Sequence, residues 1–332
     1  MIDGNGKKVL MFCPTFFGYE KRLENALKSC GYEVDLYDER PSNGFFGKTF
    51  IRLGFKLYRP VVKKYVERII AENRAKDYDY ILVVKGEVLW ENELSLLRAA
   101  FPNAKFVLYL WDSVINTRNC EKNMPLYDKV LSFDPEDAKK FNIPFLPIPY
   151  GKEYSYESTT EYEYAAAFIG TAHSVRPRVV KRIKKQLEDM GEKCFTYFYS
   201  PHILVFWLNK FTNPDYKYLS LKEVNFKPIS AKDVSDVYNK TKCVIDIEHP
   251  RQKGATTRPV ELLPMKKKII TTNSYVKNFK FYNDNNFLII DRDNPVIDKS
   301  FFTTDYSPID DNILELYSPS AFVEKCLDFH DL

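Results

Sequence analysis

Glycine is scarce in this chain: 12 among 332 residues, roughly half the usual share of about 7%. Collagen-like repeats and Gly-rich linkers are excluded, and each glycine is expected where the backbone needs it. The four histidines are fewer still, and the six cysteines (Cys13, Cys30, Cys120, Cys194, Cys243, Cys326) lack any C-x-x-C spacing. Neither a zinc site nor a thioredoxin-type motif is supported. Long apolar runs are also missing. The longest uncharged stretch, Cys194 to Asn209, falls short of the roughly 18–20 residues that cross a bilayer. The first dozen residues, with Asp3, Lys7 and Lys8, carry no secretory pattern. A cytoplasmic location follows as the expectation, with any membrane contact peripheral and on the inner face.

Charge of one sign is not in excess either, since 49 bases against 45 acids leave +4. That is too little for the basic footprint of a nucleic-acid binder, so no nucleic-acid partner is expected. What the chain does have is apolar and aromatic: 45% hydrophobic residues, with 25 Phe, 23 Tyr and 3 Trp. Its length suggests two domains, each with its own core.

Short apolar runs at Lys8–Phe12, Glu33–Tyr37, Tyr80–Val84, Lys105–Leu110, Lys129–Phe133 and Phe145–Ile148 alternate with helical patterns at Glu20–Cys30, Lys48–Asn73, Glu91–Ala100 and Pro135–Phe141. Such alternation predicts βαβ units and a parallel sheet. A second alternation starts at Ala165–Ile169 and runs through a helix at about Ser174–Met190, a strand at Lys193–Tyr197, a helix at Ala231–Asn239, and strands at Cys243–Ile247, Lys268–Thr272 and Phe287–Ile290. The expected organisation is α/β: a Rossmann-like domain over 1–150, a linker over 151–163, and a second Rossmann-like domain over 164–317. The two are expected to face a cleft, closed by a C-terminal helix over 318–332 that packs back toward the first domain. Ser318 or Ser320 is its expected N-cap. The apolar run Ile203–Leu208 reads as core or inter-domain packing.

In open α/β sheets, ligands lie beyond the carboxyl ends of strands, where helix N-termini offer free N–H groups to anions. Gly170, Thr171, His173 and Arg176 follow the strand ending at Ile169, so backbone N–H groups and one arginine could hold a phosphate there. The same residues also read as a routine turn with Ser174 as N-cap. After the strand Cys243–Ile247 come Glu248, His249, then Lys253-Gly254-Ala255-Thr256-Thr257-Arg258-Pro259-Val260-Glu261. Gly254, Thr256, Thr257 and Arg258 suit a diphosphate, and Pro259 suits the first turn of a helix. Glu261, one turn inside, could accept hydrogen bonds from ribose hydroxyls.

The K-G-A-T-T-R-P-V-E segment resembles the donor-binding segment of group 1, family 4-like, glycosyltransferases of the GT-B fold. The wording R-P-V-E-L-L-P-M-K-K-K-I-I-T-T-N is similar to their polysaccharide and lipopolysaccharide biosynthesis branch. This resemblance implies a nucleotide-sugar donor, Glu261 on its ribose, and Gly254, Thr256, Thr257 and Arg258 along its diphosphate. It further implies Gly170 and Thr171 as a second phosphate-facing loop and the segment Val224–Ser230, with Lys227, near the base. It also implies a glycan or lipid-linked acceptor and no metal or other cofactor. Lys253 stands eight positions before Glu261, where retaining members carry an acid, so the anomeric outcome stays open. The same departure fits an alternative, a non-catalytic nucleotide-binding scaffold or regulator of a polysaccharide assembly machine.

Inverting transfer needs a base for the acceptor hydroxyl. Asp112, after the strand Lys105–Leu110, and Glu87, after Tyr80–Val84, are the candidates, although Asp112 also reads as an N-cap. His173 in the phosphate-facing loop is a third catalytic candidate, or a structural turn residue; His249 has the same two readings. Residues 45–69 interleave seven bases with aromatics. They read as a solvated helix or as a surface for anionic lipid.

Overall fold

The computed structural model describes residues 4–16, 18–42, 58–117, 120–151, 161–249 and 257–329. The chain divides into two compact units, Met1–Ile148 with Leu316–Leu332, and Pro149–Glu315. In the first, strands β1 (Lys8–Phe12), β2 (Glu33–Tyr37), β3 (Tyr80–Val84), β4 (Lys105–Leu110) and β5 (Lys129–Ser132) form one sheet in the order β2-β1-β3-β4-β5. All pairings are parallel. Helices α1 (Tyr19–Ser29), α2 (Arg59–Asn73), α3 (Glu91–Ala100), α4 (Cys120–Asn123) and α5 (Pro135–Phe141) connect them.

Apart from Lys8 and Lys105, which open β1 and β4, the inner strands β1, β3 and β4 are apolar because side chains alternate between two covered faces. Val9, Met11, Leu82, Val84, Val107 and Tyr109 point into one core with Leu23 and Leu27 of α1. Leu10, Phe12, Ile81, Val83, Phe106 and Leu108 point into the other with Val66 and Ile69 of α2 and Leu94 and Leu97 of α3. Phe145 makes only a single bridge to Ser132, so the strand expected at Phe145–Ile148 does not form. The basic helical stretch expected from Lys48 is described from Arg59 onward; Lys48, Arg52 and Lys56 lie outside the described residues.

The second unit holds β6 (Tyr164–Thr171), β7 (Cys194–Tyr199), β8 (Val224–Asn225), β9 (Thr241–Asp246), β10 (Lys268–Thr271) and β11 (Phe287–Ile289), ordered β11-β10-β9-β6-β7-β8. This sheet is also all parallel. Its helices are α6 (Arg176–Asp189), α7 (Ile203–Thr212), α8 (Ala231–Asn239), α9 (Thr257–Glu261) and α10 (Asp311–Glu315). Val179, Val180, Ile183 and Leu187 of α6 pack on Phe168, Phe198, Cys243 and Ile245. Lys268 is buried in β10 and tied down, its ammonium donating to the Phe301 carbonyl at 2.7 Å and to Thr304 Oγ1 at 2.7 Å. Only Phe206 of the Ile203–Leu208 run is buried. The reading of that run as core is thus corrected: within its unit α7 turns most of its apolar residues outward.

The chain's last helix, α11 (Pro319–Leu327), returns to the first unit. Ser318 caps it, accepting from the Ala321 N–H at 3.1 Å. Its buried face, Phe322, Val323, Cys326 and Leu327, joins the α1 side of the first core. The Phe322 ring meets Tyr109 edge-on at 4.9 Å. None of the six cysteines is in a disulfide.

Candidate functional site

Strand order locates the switch point of the second sheet. From β6 the chain steps to β7 and β8 on one side, then returns to place β9, β10 and β11 on the other. Ligands in such sheets bind beyond the carboxyl ends at that reversal, which here lies between β6 and β9. Gly170 and Thr171 end β6, and Glu248 and His249 follow β9. Two segments almost eighty residues apart in sequence therefore share one edge.

Arg258, on α9, spans this point. Its guanidinium donates to the Ile169 carbonyl of β6 and, at 3.3 Å, to the Ile245 carbonyl of β9, and sits 3.7 Å from the buried Asp246 carboxylate. Arg176, at the start of α6, holds the next carbonyls outward: Nε donates to Ile247 at 2.7 Å and Nη1 reaches Thr171 O at 3.4 Å. Burial, with Arg258 close by, lowers the Arg176 pKa to about 10, so its guanidinium stays charged at neutral pH. Each arginine thus binds strand-end carbonyls as well as presenting positive charge at the ligand edge.

His173 follows Ala172 in the β6–α6 turn, where Ser174 has a φ of 47°. Ser174 is not the N-cap expected from the sequence; α6 begins after Val175 without a side-chain cap. The His173 ring lies 5.9 Å from that of the exposed His249, and its Nδ1 is 3.0 Å from Ser174 Oγ. Burial first, then Arg176 and His249, press its pKa down to about 3. His173 is therefore neutral at physiological pH and can donate or accept one hydrogen bond, but it is not a standing cation. Glu248 is buried, accepting from Thr272 Oγ1 at 2.5 Å and pairing with Arg292. Burial raises its pKa above the usual carboxylate range.

Glu261, the last residue of α9, is 7% exposed, and Thr257 opens the same helix. Lys227 is exposed just past β8, where its carbonyl accepts from Tyr197 OH at 2.7 Å. Gly254, Thr256 and Lys253 lie outside the described residues. Of the expected donor-binding residues, the structure therefore brings Gly170, Thr171, Arg176 and Arg258 together at the β6 and β9 ends, with Thr257 and Glu261 opening and closing the short helix that carries Arg258. Lys227 stands at the edge strand.

A second cluster lies at the carboxyl edge of the first sheet. Lys85 and Gly86 follow β3 with φ of 83° and 73°. The left-handed path is costly for a lysine, and a Cβ on Gly86 would come within 2.8 Å of Leu108. This turn sets the Lys85 ammonium 3.3 Å from Glu87 and 3.7 Å from Asp112. Arg40, beyond β2, reaches Glu87 at 2.7 Å. Burial alone would raise the Glu87 pKa, but Lys85 and Arg40 outweigh it and hold the carboxyl below its ordinary range. Glu87 is thus a carboxylate committed to two cations. Asp112 is freer, with a side chain 35% exposed, although one oxygen accepts from the Ser113 N–H at 3.0 Å. The N-cap of the turn Val114–Asn116 is Ser113 rather than Asp112.

Glu39 is the member of this cluster that strand patterning does not reveal. It is fully buried, one oxygen accepting the Val88 N–H at 2.8 Å. The other has no hydrogen-bond partner among the described residues. Burial raises its pKa from 4.5 to about 7. A raised folded value means the neutral form's contribution is complete below pH 4.5 and is lost as pH climbs to about 7, a change of about 3 kcal/mol. Glu39→Gln is expected to remove that dependence. Urea unfolding of both proteins at mildly acid and mildly alkaline pH checks it; a wild-type-to-variant difference that does not move with pH would show that Glu39 is not held neutral.

A cavity of about 450 Å³ near Lys8, Lys28 and Asp35 opens at the amino ends of β1 and β2, the opposite edge from strand-end ligand sites. Among the described residues no group of three or more His, Cys, Asp or Glu side chains could hold a metal ion, and no helix is long and apolar enough to cross a membrane. In the described part of the basic stretch, Arg59 pairs with Glu93 and lies 3.9 Å over the Trp90 ring, while Lys63 and Arg68 pair with Glu67 and Glu72.

No protein-family model and no curated protein sequence matches this chain. Solved structures do. Sucrose-phosphate synthase from Thermosynechococcus elongatus superposes with a TM-score of 0.58 at 10% identity, over 87% of this chain and 86% of its own. MurG from Acinetobacter baumannii gives 0.53 at 10%, over 96% and 98%. HepE of Anabaena, solved with UDP-glucose, gives 0.54 at 11%, over 97% and 95%. At such identities the likeness is one of fold: two α/β units, each with a parallel Rossmann-like sheet, as in the GT-B glycosyltransferases.

Proposed function

We propose that this protein is a glycosyltransferase that moves a sugar from a nucleotide-sugar donor to a glycan or lipid-linked acceptor in surface polysaccharide or lipopolysaccharide assembly. The observation that carries the reading is the joining of the β6 and β9 ends by Arg258, with Arg176 on the same edge and Glu261 closing the short helix that carries Arg258. Two guanidiniums offer charge to a diphosphate, and a carboxylate one turn along suits the paired hydroxyls of a ribose. HepE was solved with UDP-glucose and starch synthase IV of Arabidopsis with ADP, which supports a nucleoside diphosphate sugar as the donor class. His173, neutral in its turn, serves as a hydrogen-bond partner of donor or acceptor. Asp112 of the first unit is the acceptor's general base, because Glu87 is already bound by Lys85 and Arg40. The transfer needs no metal in this reading: the arginines and helix N-termini stabilise the leaving diphosphate.

Glu261→Gln tests the donor site with little change of shape. Removing a charged hydrogen-bond acceptor is worth about 1.5–3 kcal/mol, so affinity for the donor should fall about ten- to a hundredfold. A thermal-shift screen across nucleotide sugars identifies the donor first, since a ligand of the native state raises the melting temperature. Calorimetry on wild type and variant then measures the loss, and equal affinities would sink the assignment of Glu261. Slow release of free nucleoside diphosphate from the matching donor separates an enzyme from a non-catalytic scaffold.

A further inference from the structure

Among the described residues, eleven large hydrophobic side chains are exposed, and six of them fall in one short segment: Ile203, Leu204, Trp207, Leu208, Phe211 and Leu221. The first five belong to α7, where at 100° per residue they occupy an arc of about 140°. Phe206, on the opposite side, is the residue that anchors the helix in the core. Leu204 is 70% exposed and Phe211 82%, and the Trp207 and Phe211 rings stack at 6.1 Å. Isolated exposed hydrophobics need no explanation, but a contiguous stripe marks a contact surface.

The charges around the stripe indicate its partner. From Pro201 to Lys222 there is one acid, Asp215, and it is bound by Arg178 at 2.9 Å. Glu223, next in the chain, is bound by Lys181. Lys217 and Lys222 are exposed, whereas the Lys210 ammonium is turned inward onto the Tyr216 and Leu219 carbonyls. The exposed lysines therefore give this segment a positive sign, although Asp293, exposed, shares Arg178 with Asp215. A second copy docking stripe to stripe would bring the same lysines together, and like charges oppose that arrangement. An anionic lipid surface meets both features: the apolar arc enters the headgroup boundary while the lysines stay among phosphates, and an aromatic pair suits that depth.

We infer that the outward face of α7, with Lys217 and Lys222, is a docking surface for an anionic membrane. The helix is rooted in the donor-side turn. Asn213 donates to the Ser174 carbonyl at 3.0 Å, and Tyr216, bonded to Asn209, donates its hydroxyl to Ala172 O. Docking through α7 thus holds the β6–α6 turn, with His173 in it, beside the lipid surface. Neither the 45–69 stretch nor the sugar-transfer reading is required for it.

The test is flotation of the intact 332-residue chain with vesicles of phosphatidylcholine, alone or mixed with phosphatidylglycerol. Wild type should float with the mixed vesicles. Leu204→Ser with Phe211→Ser should abolish flotation while leaving the melting temperature unchanged, because both side chains are solvent-facing. Lys217→Ala with Lys222→Ala should weaken binding to the mixed vesicles by about fivefold per lysine, the equivalent of about 1 kcal/mol each. Failure of the wild type to float, or flotation of the Leu204/Phe211 variant at the wild-type level, overturns the proposal. So does a self-association, seen in sedimentation, that this variant removes without any effect on vesicles, since the face would then belong to a second copy.

Discussion

Asp112→Asn is expected to lower sugar transfer about 10²–10⁴-fold, the usual contribution of a positioned general base, and to leave donor affinity unchanged. Asparagine keeps the oxygen that accepts from the Ser113 N–H, so the local turn should survive. What is lost is the oxygen near Lys85 that could take a proton. The measurement is a steady-state assay with the donor found in the thermal-shift screen, paired with calorimetry on the same donor. Wild-type turnover in the variant would remove Asp112 as the base. Glu87→Gln provides the contrast: it leaves Lys85 and Arg40 without their shared carboxylate in a buried setting, so it should cost stability first. A fall in melting temperature before any specific loss of turnover is the expected pattern there.

Arg258→Ala should be the most damaging single substitution for the second unit. It strips hydrogen bonds from the Ile169 and Ile245 carbonyls and takes a guanidinium from Asp246, which is 1% exposed. Breaking a buried pair from one side costs about 3–5 kcal/mol. Arg258→Lys should recover only part of this, because an ammonium is a point charge that cannot span two strand ends as a fork does. Denaturant unfolding of the three proteins decides the matter. If Arg258→Ala unfolds at the wild-type midpoint, the strand-bridging role is refuted, and any loss of donor binding would have to be direct. The control matters because a residue that both holds the sheet edge and meets the ligand gives a binding defect by either route.

Much of the fold can be read along the chain because its signals are local. The all-apolar run Tyr80–Val84 announces a strand covered on both faces, and the structure buries all five residues. Ser318 or Ser320 announces a helix start, and the structure makes Ser318 the cap. Local signals also misled where long-range packing decided. Phe145–Ile148 is apolar yet gains only one bridge, to Ser132 of the edge strand β5, because Pro147 has no N–H to donate to a ladder. Ile203–Leu208 is apolar because one face is presented outward, which hydropathy alone cannot separate from burial.

The candidate site divides in the same way. The places of Gly170, Thr171, Arg176, Thr257 and Arg258 were legible because each falls at the end of a strand or the start of a helix, where polar and small residues interrupt apolar runs; Glu261 closes the short helix that Thr257 opens. Glu39, Arg40 and the pairing of Glu87 with Lys85 were not. Their character comes from burial and from charges contributed by β2, β3 and β4 together. From the sequence alone came the βαβ alternation, the scarcity of glycine, and, to within two residues, where every strand but β8 ends. The tertiary structure alone decided that β6 lies beside β9, so that Arg258 can bridge them, and that Arg40 and Lys85 share Glu87 and leave Asp112 the freer acid. The physical reason is range: periodicity and capping act over a few residues, whereas strand order, desolvation and Coulomb pairing depend on which distant segments the fold brings within a few ångströms.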